Sequence, residues 1–449
     1  MSVSQSPTAR SGGVLAPLVF VAVLTLVFLW PALYNGYPLT FWDSAAYLDT
    51  ALQWTTYGRP FPYSGFLNVT GLGLTGWLPI AVQSVLVAAV LWLTVRVALP
   101  AERRGGLLAP VLVALGCGLS YLPFYTSYLM PDVFGLLGIL ALYLLLMEER
   151  RWVRAVAFVL VALSASVHNA NVPLFGALAV CWLLFPERRR VALGLVAVFM
   201  GAVLVAGMHK AKMGEFFYSK VGQAFVFARL YEDDLIRPAA RRVCAVRNIP
   251  FCPYVEELGG NGKKVDDYLW RETSPRLKVG GNVARWERSL IWHSLKWYPL
   301  ENLSAVLRHT GRGLGRTWEM FWVMQDTNFR EPLAKLWPRD LPAYDRSGQI
   351  NGHFLEPQWQ KYATWAVLAV LAVALAVARP AWGSPLGRLL LLIALSLLLN
   401  ALVNGPLSSS DPPRYFARLN GLVFLAAALS VAHAVSVRRR SPPPAQAAR

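Results

Sequence analysis

Long apolar runs recur along this 449-residue chain, and they restrict its fold more than any other feature. A helix that crosses the hydrocarbon core of a bilayer needs about 17–25 mostly apolar residues. Ten segments approach this length, at residues 14–33, 72–95, 106–124, 132–147, 153–170, 172–186, 190–208, 361–378, 387–404 and 419–436. The sequence therefore predicts an all-α polytopic membrane protein with about ten transmembrane helices.

The composition supports a lipid environment. Hydrophobic residues make up 55% of the chain, charged residues make up 15%, and the mean hydropathy is +0.42, which excludes an ordinary soluble enzyme. A net charge of +18 would suit nucleic acid, but Lys and Arg form short clusters between the apolar runs rather than one basic face. The distribution of charge therefore indicates the membrane topology of the chain. The expected partner is the lipid bilayer, and nucleic acid is not expected to bind.

The arginines follow the positive-inside rule, by which short cytoplasmic loops are rich in Lys and Arg. One set of alternate helix ends carries Arg10, Arg96, Arg103, Arg104, Arg150, Arg151, Arg154, Arg188, Arg189, Arg190, Arg379, Arg388, Arg438, Arg439 and Arg440. The opposite set, apart from one long polar segment, carries only Arg59, Arg414 and Arg418. Both termini are therefore predicted to be cytoplasmic.

A polar segment separates the seventh and eighth predicted helices. It divides the chain into an N-terminal transmembrane module (1–209), a mainly helical loop domain (210–360) and a C-terminal transmembrane module (361–449). Helix parity places the loop domain outside the cytoplasm. In that oxidising location, Cys244 and Cys252 favour a disulfide over a metal site. The domain is either a lid or acceptor platform, or a structural cap.

Polar and ionisable residues collect at the helix ends that are predicted to face outward. Such groups are costly in lipid and tend to face a cavity or a partner. They are Asp43, Tyr47, Asp49, Arg59, Tyr128, Asp132, His168, Asn169, Asn171, His209, Lys210, Lys212, Asp411, Arg414, Tyr415 and Arg418. An outward-facing active site explains their common location.

Each residue alone also has a simpler interpretation. Asp43 or Asp132 would serve as the N-cap of a helix, since an Asp there satisfies free backbone amides. His168 would be a structural histidine near a helix end. Arg414 and Arg418 would be interfacial residues whose charged ends reach water. The co-occurrence of all of them at one membrane boundary favours the functional interpretation.

Two short stretches, FWDSAAYL from Phe41 and MPDVF from Met130, resemble motifs of the GT-C superfamily of membrane glycosyltransferases. That group includes the lipid A aminoarabinose transferases and the protein O-mannosyltransferases. The resemblance covers roughly Leu15 to Lys210, and both stretches place a carboxylate in an outward loop. It implies transfer of a sugar from a polyprenyl-phosphate or diphosphate carrier to an extracytoplasmic acceptor, such as a cell-envelope glycan, lipid or protein.

The resemblance also implies roles for individual residues. Asp43 becomes the catalytic base or the carboxylate that positions the acceptor, and Asp132 becomes the second acidic residue. The candidates for binding the lipid phosphate are Arg59, His168, Lys210, Arg414, Tyr415 and Arg418. The two aspartates are also a candidate pair of ligands for Mg²⁺ or Mn²⁺, and no other cofactor is expected. Asp49 lies about 1.7 helical turns after Asp43, on roughly the opposite side of a helix.

The chain departs from the family pattern in the position of its polar segment, because many members carry their soluble domain after the last helix. The late outer loop also resembles that of O-antigen ligases and polymerases.

A different class of function is a transporter or flippase for a lipid-linked or anionic substrate, in which the same charges form a gate. Transporters often have internal repeats and polar groups near the membrane midplane. Neither is visible here, so an enzyme is favoured over a transporter, and a structural assembly subunit is the third interpretation.

Overall fold

A computed structural model describes residues 15–54, 59–100, 106–185, 188–260, 262–319, 327–354, 359–407 and 413–440. These residues are mainly helical, and no β-strand occurs among them apart from one isolated bridge between Leu39 and Tyr128. The predicted all-α membrane fold is therefore confirmed. Asp411, one of the polar residues noted in the sequence, lies outside the described residues.

The helices fall into three stretches of the chain. The first contains α1 (Leu15–Asn35), α2 (Trp42–Gln53), α3 (Phe61–Gly71), α4 (Trp77–Ala98), α5 (Leu108–Leu119), α6 (Leu122–Ser127), α7 (Val133–Met147), α8 (Arg151–Ser166), α9 (Asn171–Cys181) and α10 (Arg188–Met213). The second contains α11 (Gly222–Glu232), α12 (Ile236–Val246), α13 (Val265–Leu269), α14 (Pro275–Val279), α15 (Val283–Trp297), α16 (Pro299–Gly315), α17 (Arg330–Leu336) and α18 (Leu341–Asp345). The third contains α19 (Trp359–Val377), α20 (Pro385–Leu407), α21 (Arg414–Ala417) and α22 (Asn420–Arg440).

Six helices in the described part of the chain are long and apolar enough to cross a bilayer: α1, α4, α10, α19, α20 and α22. Each of the other four predicted spans also contains a helix, namely α5, α7, α8 and α9. These are shorter. The 15 residues of α7 rise only about 23 Å, whereas the hydrocarbon core is about 30 Å thick. The prediction of ten spans is therefore not confirmed beyond six.

Helix α7 lies at the centre of the bundle. Every residue from Val133 to Leu146 is buried, as expected for a helix that is apolar on all sides. It packs against α4, α8, α9 and α10. Beside it, α8 and α10 approach closely at Gly201, where a Cβ atom would lie 2.6 Å from the carbonyl oxygen of Ala162. The N-terminal end of this central helix carries Asp132.

A short backbone pairing joins the first loop to the start of α7. The amide of Leu39 donates to the carbonyl of Ser127 at 2.9 Å, and the amide of Leu129 donates to the carbonyl of Leu39 at 2.9 Å. Gln83 supports the same strand-like stretch by donating to the carbonyl of Tyr128 at 2.8 Å. Asp43 follows Leu39 by four residues and Asp132 follows Leu129 by three, so this pairing brings the two carboxylates into one region.

The first part of the polar segment forms a hydrophobic core of its own. Its buried residues include Phe227, Phe251, Tyr268 and Leu290. Cys244 and Cys252 form the predicted disulfide, with their Cα atoms 5.6 Å apart. The two other cysteines do not form disulfides: Cys117 is buried, as a core residue should be, and Cys181 is partly buried.

The last part of the polar segment packs elsewhere. Phe329, Leu333, Trp337 and Tyr344 belong to the main core of the membrane bundle. Gln349 anchors the same region to the first loop, since its side chain donates to the carbonyl of Thr40 at 2.6 Å. The predicted single domain at 210–360 therefore consists of two parts, and the second completes the surroundings of α2 and α3.

The carboxylate of Asp340 is the main polar anchor between the two regions. One oxygen accepts hydrogen bonds from the Tyr37 hydroxyl at 3.1 Å, the Thr75 hydroxyl at 2.9 Å and the Gly76 amide at 2.7 Å. Asp340 is itself buried. These donors flank the loop that carries α2 and α3, so Asp340 holds both ends of that loop.

We expect Asp340→Ala to lower the free energy of unfolding by about 3 kcal/mol, because three donors lose a charged acceptor in a buried place. Thermal unfolding in detergent micelles measures this loss. Asp345→Ala is the matched control, since Asp345 forms an exposed ion pair with Arg330 and should cost less than about 1 kcal/mol. Equal shifts for the two variants would contradict the anchoring role.

Candidate active site

Asp43 lies in the first turn of α2, whose N-cap residue is Phe41. The interpretation of Asp43 as the N-cap is therefore wrong. Ser44 satisfies the local backbone instead, because the Phe41 amide donates to its hydroxyl at 2.9 Å. The Asp43 carboxylate instead contacts residues that are distant in the sequence. One oxygen accepts a hydrogen bond from Arg59, and the other accepts one from Arg414 at 2.9 Å.

Arg414 begins the short helix α21 and points its guanidinium into the cluster. Besides Asp43, it donates to the Tyr415 hydroxyl at 2.8 Å, and its Nε lies 3.5 Å from a carboxylate oxygen of Asp132. Its charge lies over the Phe41 ring, 4.6 Å from the ring centroid. This one side chain therefore contacts residues from α2, from the start of α7 and from its own helix.

Asp132 occupies the N-cap position of α7, but its side chain makes no capping hydrogen bond. Only 1% of it is exposed, and neither carboxylate oxygen accepts a hydrogen bond from the part of the chain that the structure describes. It borders a cavity of about 10 Å³, enough for one water molecule. The residues lining that cavity are Phe41, Tyr125, Tyr128, Met130, Asp132 and Arg414.

Arg418 is buried one turn after Arg414 and donates to the Asn400 side chain at 2.9 Å and 3.3 Å. It lies against α7 at Gly135, where a Cβ atom would come within 3.3 Å of the guanidinium. The charges of Arg418 and Asp132 interact. The interpretation of Arg414 and Arg418 as interfacial residues whose charged ends reach water is therefore wrong, because both side chains are buried.

His168 joins the cluster through Tyr415, with the two ring centroids 5.7 Å apart. Its Nδ1 accepts a hydrogen bond from the Ala170 amide at 3.2 Å. The neutral ring must then carry its hydrogen on Nε2 and is available there as a donor. The segment between α8 and α9 thus supplies a neutral donor beside the charged groups.

Two other predicted residues make different contacts. Lys210 is exposed and donates to the Gly214 carbonyl at 2.7 Å, in the turn that ends its own helix. Asp49 interacts electrostatically with Lys335 and Glu331 of α17, which packs on α2. Asp49 therefore has neighbours different from those of Asp43, as its helical spacing predicted. The structure brings the remaining candidates together: Asp43, Arg59, Asp132, His168, Arg414, Tyr415 and Arg418.

The predictions from sequence missed several residues that shape this site. Tyr125 donates its hydroxyl to the Arg414 carbonyl at 2.8 Å, and Asn400 holds Arg418. Asn400 carried a signal, since it is one of two amide side chains, with Asn404, within the apolar helix α20. Tyr125 carried none, because an aromatic residue near a membrane boundary is ordinary.

The cluster has an excess of positive charge, since two carboxylates face three guanidinium groups. These groups are Asp43, Asp132, Arg59, Arg414 and Arg418. Side-chain exposure falls from 34% at Arg59 through 18% at Asp43 and 6% at Arg414 to 1% at Asp132. The site is therefore reached from the side of Arg59 and Asp43.

The environment also decides the protonation state of Asp43. Burial alone would raise the pKa of Asp43, but the charges and hydrogen bonds of Arg414 and Arg59 outweigh this and lower it. Asp43 is thus an anion at neutral pH. Because cations already contact both of its oxygens, the residues do not fit a shared Mg²⁺ or Mn²⁺ ion. A ligand anion would fit the uncompensated positive charge better.

Comparison of the chain with protein-family models, curated proteins and solved structures finds no match. The resemblance to GT-C glycosyltransferases therefore rests on the two short motifs around Asp43 and Asp132. What the site does has to be inferred from its charges and contacts.

We expect Arg414→Met to lower the free energy of unfolding by about 3–5 kcal/mol, because it leaves the buried Asp132 without its nearest positive charge. Adding Asp132→Asn should recover at least about 1 kcal/mol, since the uncompensated charge is removed. Thermal unfolding of the single and double variants measures the coupling. Arg330→Met, at an exposed ion pair, is the control. Simple addition of the two losses would show that Arg414 and Asp132 are not coupled.

Proposed function

We propose that this protein is an integral membrane glycosyltransferase. It transfers a sugar from a polyprenyl-phosphate or diphosphate carrier to a hydroxyl of an extracytoplasmic acceptor. One observation carries the proposal: an ionised, accessible carboxylate lies within a buried cluster that has excess positive charge, at one end of a membrane-helix bundle. Such a site offers a base for the acceptor and cations for the phosphate.

The proposed reaction divides the work between these groups. Asp43 orients the acceptor hydroxyl and takes its proton as the acceptor oxygen bonds to the anomeric carbon. The bond from that carbon to the phosphate oxygen breaks, and its electron pair leaves with the carrier phosphate. Arg59 and Arg414 stabilise this charge, Arg being suited to bidentate contact with phosphate. Direct displacement of this kind inverts the anomeric configuration.

The ion pairs of Asp43 give the carrier phosphate a second role. In the structure Arg59 and Arg414 both hold Asp43, which makes Asp43 a weak base. A phosphate that engages the same guanidinium groups competes with Asp43 for them, and the proton affinity of the carboxylate then rises. Binding of the sugar-carrying lipid thereby makes Asp43 a stronger base. Asp132 meanwhile keeps Arg414 in place from the buried side.

The membrane arrangement that fits this function has ten spans, both termini in the cytoplasm and the site on the extracytoplasmic face of a bacterial-type inner membrane. Support comes from the helices found in all ten apolar segments and from the distribution of arginines. The four short helices would cross the bilayer with shorter apolar segments, and neighbouring helices would enclose them. α7 already has such an enclosed position.

We expect Asp43→Asn to reduce transfer at least 100-fold, because general base catalysis typically contributes that much. The assay incubates the protein in proteoliposomes with a panel of polyprenyl-phosphate hexoses and pentoses and a cell-envelope extract that supplies acceptor hydroxyls, and it measures release of polyprenyl phosphate. Asp49→Asn, on the same helix, should retain activity. If the wild type moves these lipids across the bilayer without releasing the carrier, the protein is a flippase instead.

Carrier binding tests the phosphate site separately. We expect Arg59→Ala to weaken binding of undecaprenyl phosphate at least tenfold, since it removes a charged hydrogen-bond donor worth about 1.5–3 kcal/mol. Fluorescence titration in nanodiscs measures the affinity, and Arg330→Ala serves as the surface control. Unchanged affinity would remove Arg59 from the site. A loss caused by Lys210→Ala instead would place the phosphate at the end of α10.

A further inference from the structure

A second cavity lies away from Asp43, where α11, α16 and the end of α20 meet. Its volume is about 330 Å³, within the range of small-molecule binding sites. Most of its wall is apolar and is formed by Val226, Leu230, Leu295, Leu303, Val306 and Pro406. The polar residues in its wall are Arg229, Asp233, Asn302 and His309. A ligand here would therefore have an apolar body and a small polar part.

Two hydrogen-bond acceptors in this wall lack partners among the described residues. The Nε2 of His309 lies 2.8 Å from a carboxylate oxygen of Asp233 and donates to it, which leaves Nδ1 as a bare acceptor in the neutral ring. Asn302 donates to the Tyr298 carbonyl at 2.7 Å. Neither His309 Nδ1 nor Asn302 Oδ1 has a hydrogen-bond partner among the described residues, and both side chains are almost fully buried.

The two unpaired atoms have the same chemical character. Both accept hydrogen bonds, and they lie seven residues apart on α16, about 10 Å along the helix axis. A buried acceptor without a partner destabilises the protein, and a ligand hydroxyl that donates to it would remove that cost. A ligand that fits this cavity would therefore carry hydrogen-bond donors at two positions.

The charges around the cavity cancel. Arg229 forms an ion pair with Glu232, and Asp233 forms one with Arg308 at 2.9 Å. Burial favours a higher pKa for Asp233, but the hydrogen bond from His309 and the charge of Arg308 outweigh it and lower that pKa, so the carboxylate stays charged. With its ion pairs complete, the cavity offers no net charge to an ion. This distinguishes it from the positive cluster at Asp43.

The position of the cavity indicates where its ligand comes from. Pro406 lies at the end of a membrane-length helix, so the cavity opens near the boundary of the bilayer. On α16, the exposed side chains of Leu300, Leu303 and Leu307 continue the apolar wall outward. Their spacing of three and four residues puts them on one face of the helix. An alkyl chain from the bilayer can follow this face.

We propose that this cavity binds the head of an uncharged, hydroxyl-bearing lipid, such as a glycolipid. Its hydroxyls donate to His309 Nδ1 and Asn302 Oδ1, and its alkyl chain lies along the leucine face of α16. This site is separate from the proposed transfer site and does not depend on transfer activity.

Native mass spectrometry of the full chain released from phosphatidylcholine nanodiscs tests the proposal. The probe is monoglucosyl diacylglycerol, compared with the same lipid carrying a fully O-methylated sugar and with phosphatidylglycerol. We expect the glucosyl lipid to bind at least tenfold more tightly than either. Equal binding of the methylated lipid, or stronger binding of phosphatidylglycerol, would overturn it.

Three variants locate the binding. Asn302→Leu removes one acceptor, and Leu303→Trp fills the cavity mouth without changing a polar group, so each should weaken binding of the glucosyl lipid at least tenfold. Ser304→Ala, at an exposed neighbouring position, should change it less than twofold. The melting temperature shows whether each variant is folded. If Leu303→Trp folds and binds as well as the wild type, the lipid does not occupy this cavity.

Discussion

The guanidinium of Arg414 lies between two carboxylates that arrive from different parts of the chain, and the geometry of the polar cluster depends on it. Asp132 is almost wholly buried and accepts no hydrogen bond from any described residue, so Arg414 is its nearest compensation. A buried charge without such a partner would cost several kcal/mol. Helix α2, the short helix α21 and the start of α7 are therefore held to one arrangement by electrostatics as well as by packing.

Two further sets of contacts make that arrangement rigid. The backbone pairing of Leu39 with Ser127 and Leu129 sets the first loop beside α7, and the carboxylate of Asp340 holds both ends of the same loop. Asp340 comes from the far end of the polar segment. The segment is thus more than an appended domain, because its last part supports the helix that carries Asp43.

The same ion pairs create a conflict that bears on the proposed function. The contacts that keep Asp43 charged and in place also make it a poor base, and its partners are the cations that a carrier phosphate needs. In the proposed mechanism, Asp43 becomes reactive when the carrier phosphate takes over the guanidinium groups. The neutral cavity beside α16 has the opposite character, so the two proposed sites would select lipids of different charge.

The sequence by itself determined that the chain is a helical membrane protein, that Cys244 pairs with Cys252, and which polar residues lie at the helix ends. These properties are local: apolar length, charge clusters and short spacing all report on neighbouring residues. Only the tertiary structure decided which of those polar residues meet. Asp43 and Arg414 are 371 positions apart and Tyr37 and Asp340 are 303 apart, and helical periodicity carries no information over such separations. The burial of Asp132 beneath Arg414 and the neutral cavity at His309 arise from how the helices pack, which no single segment encodes.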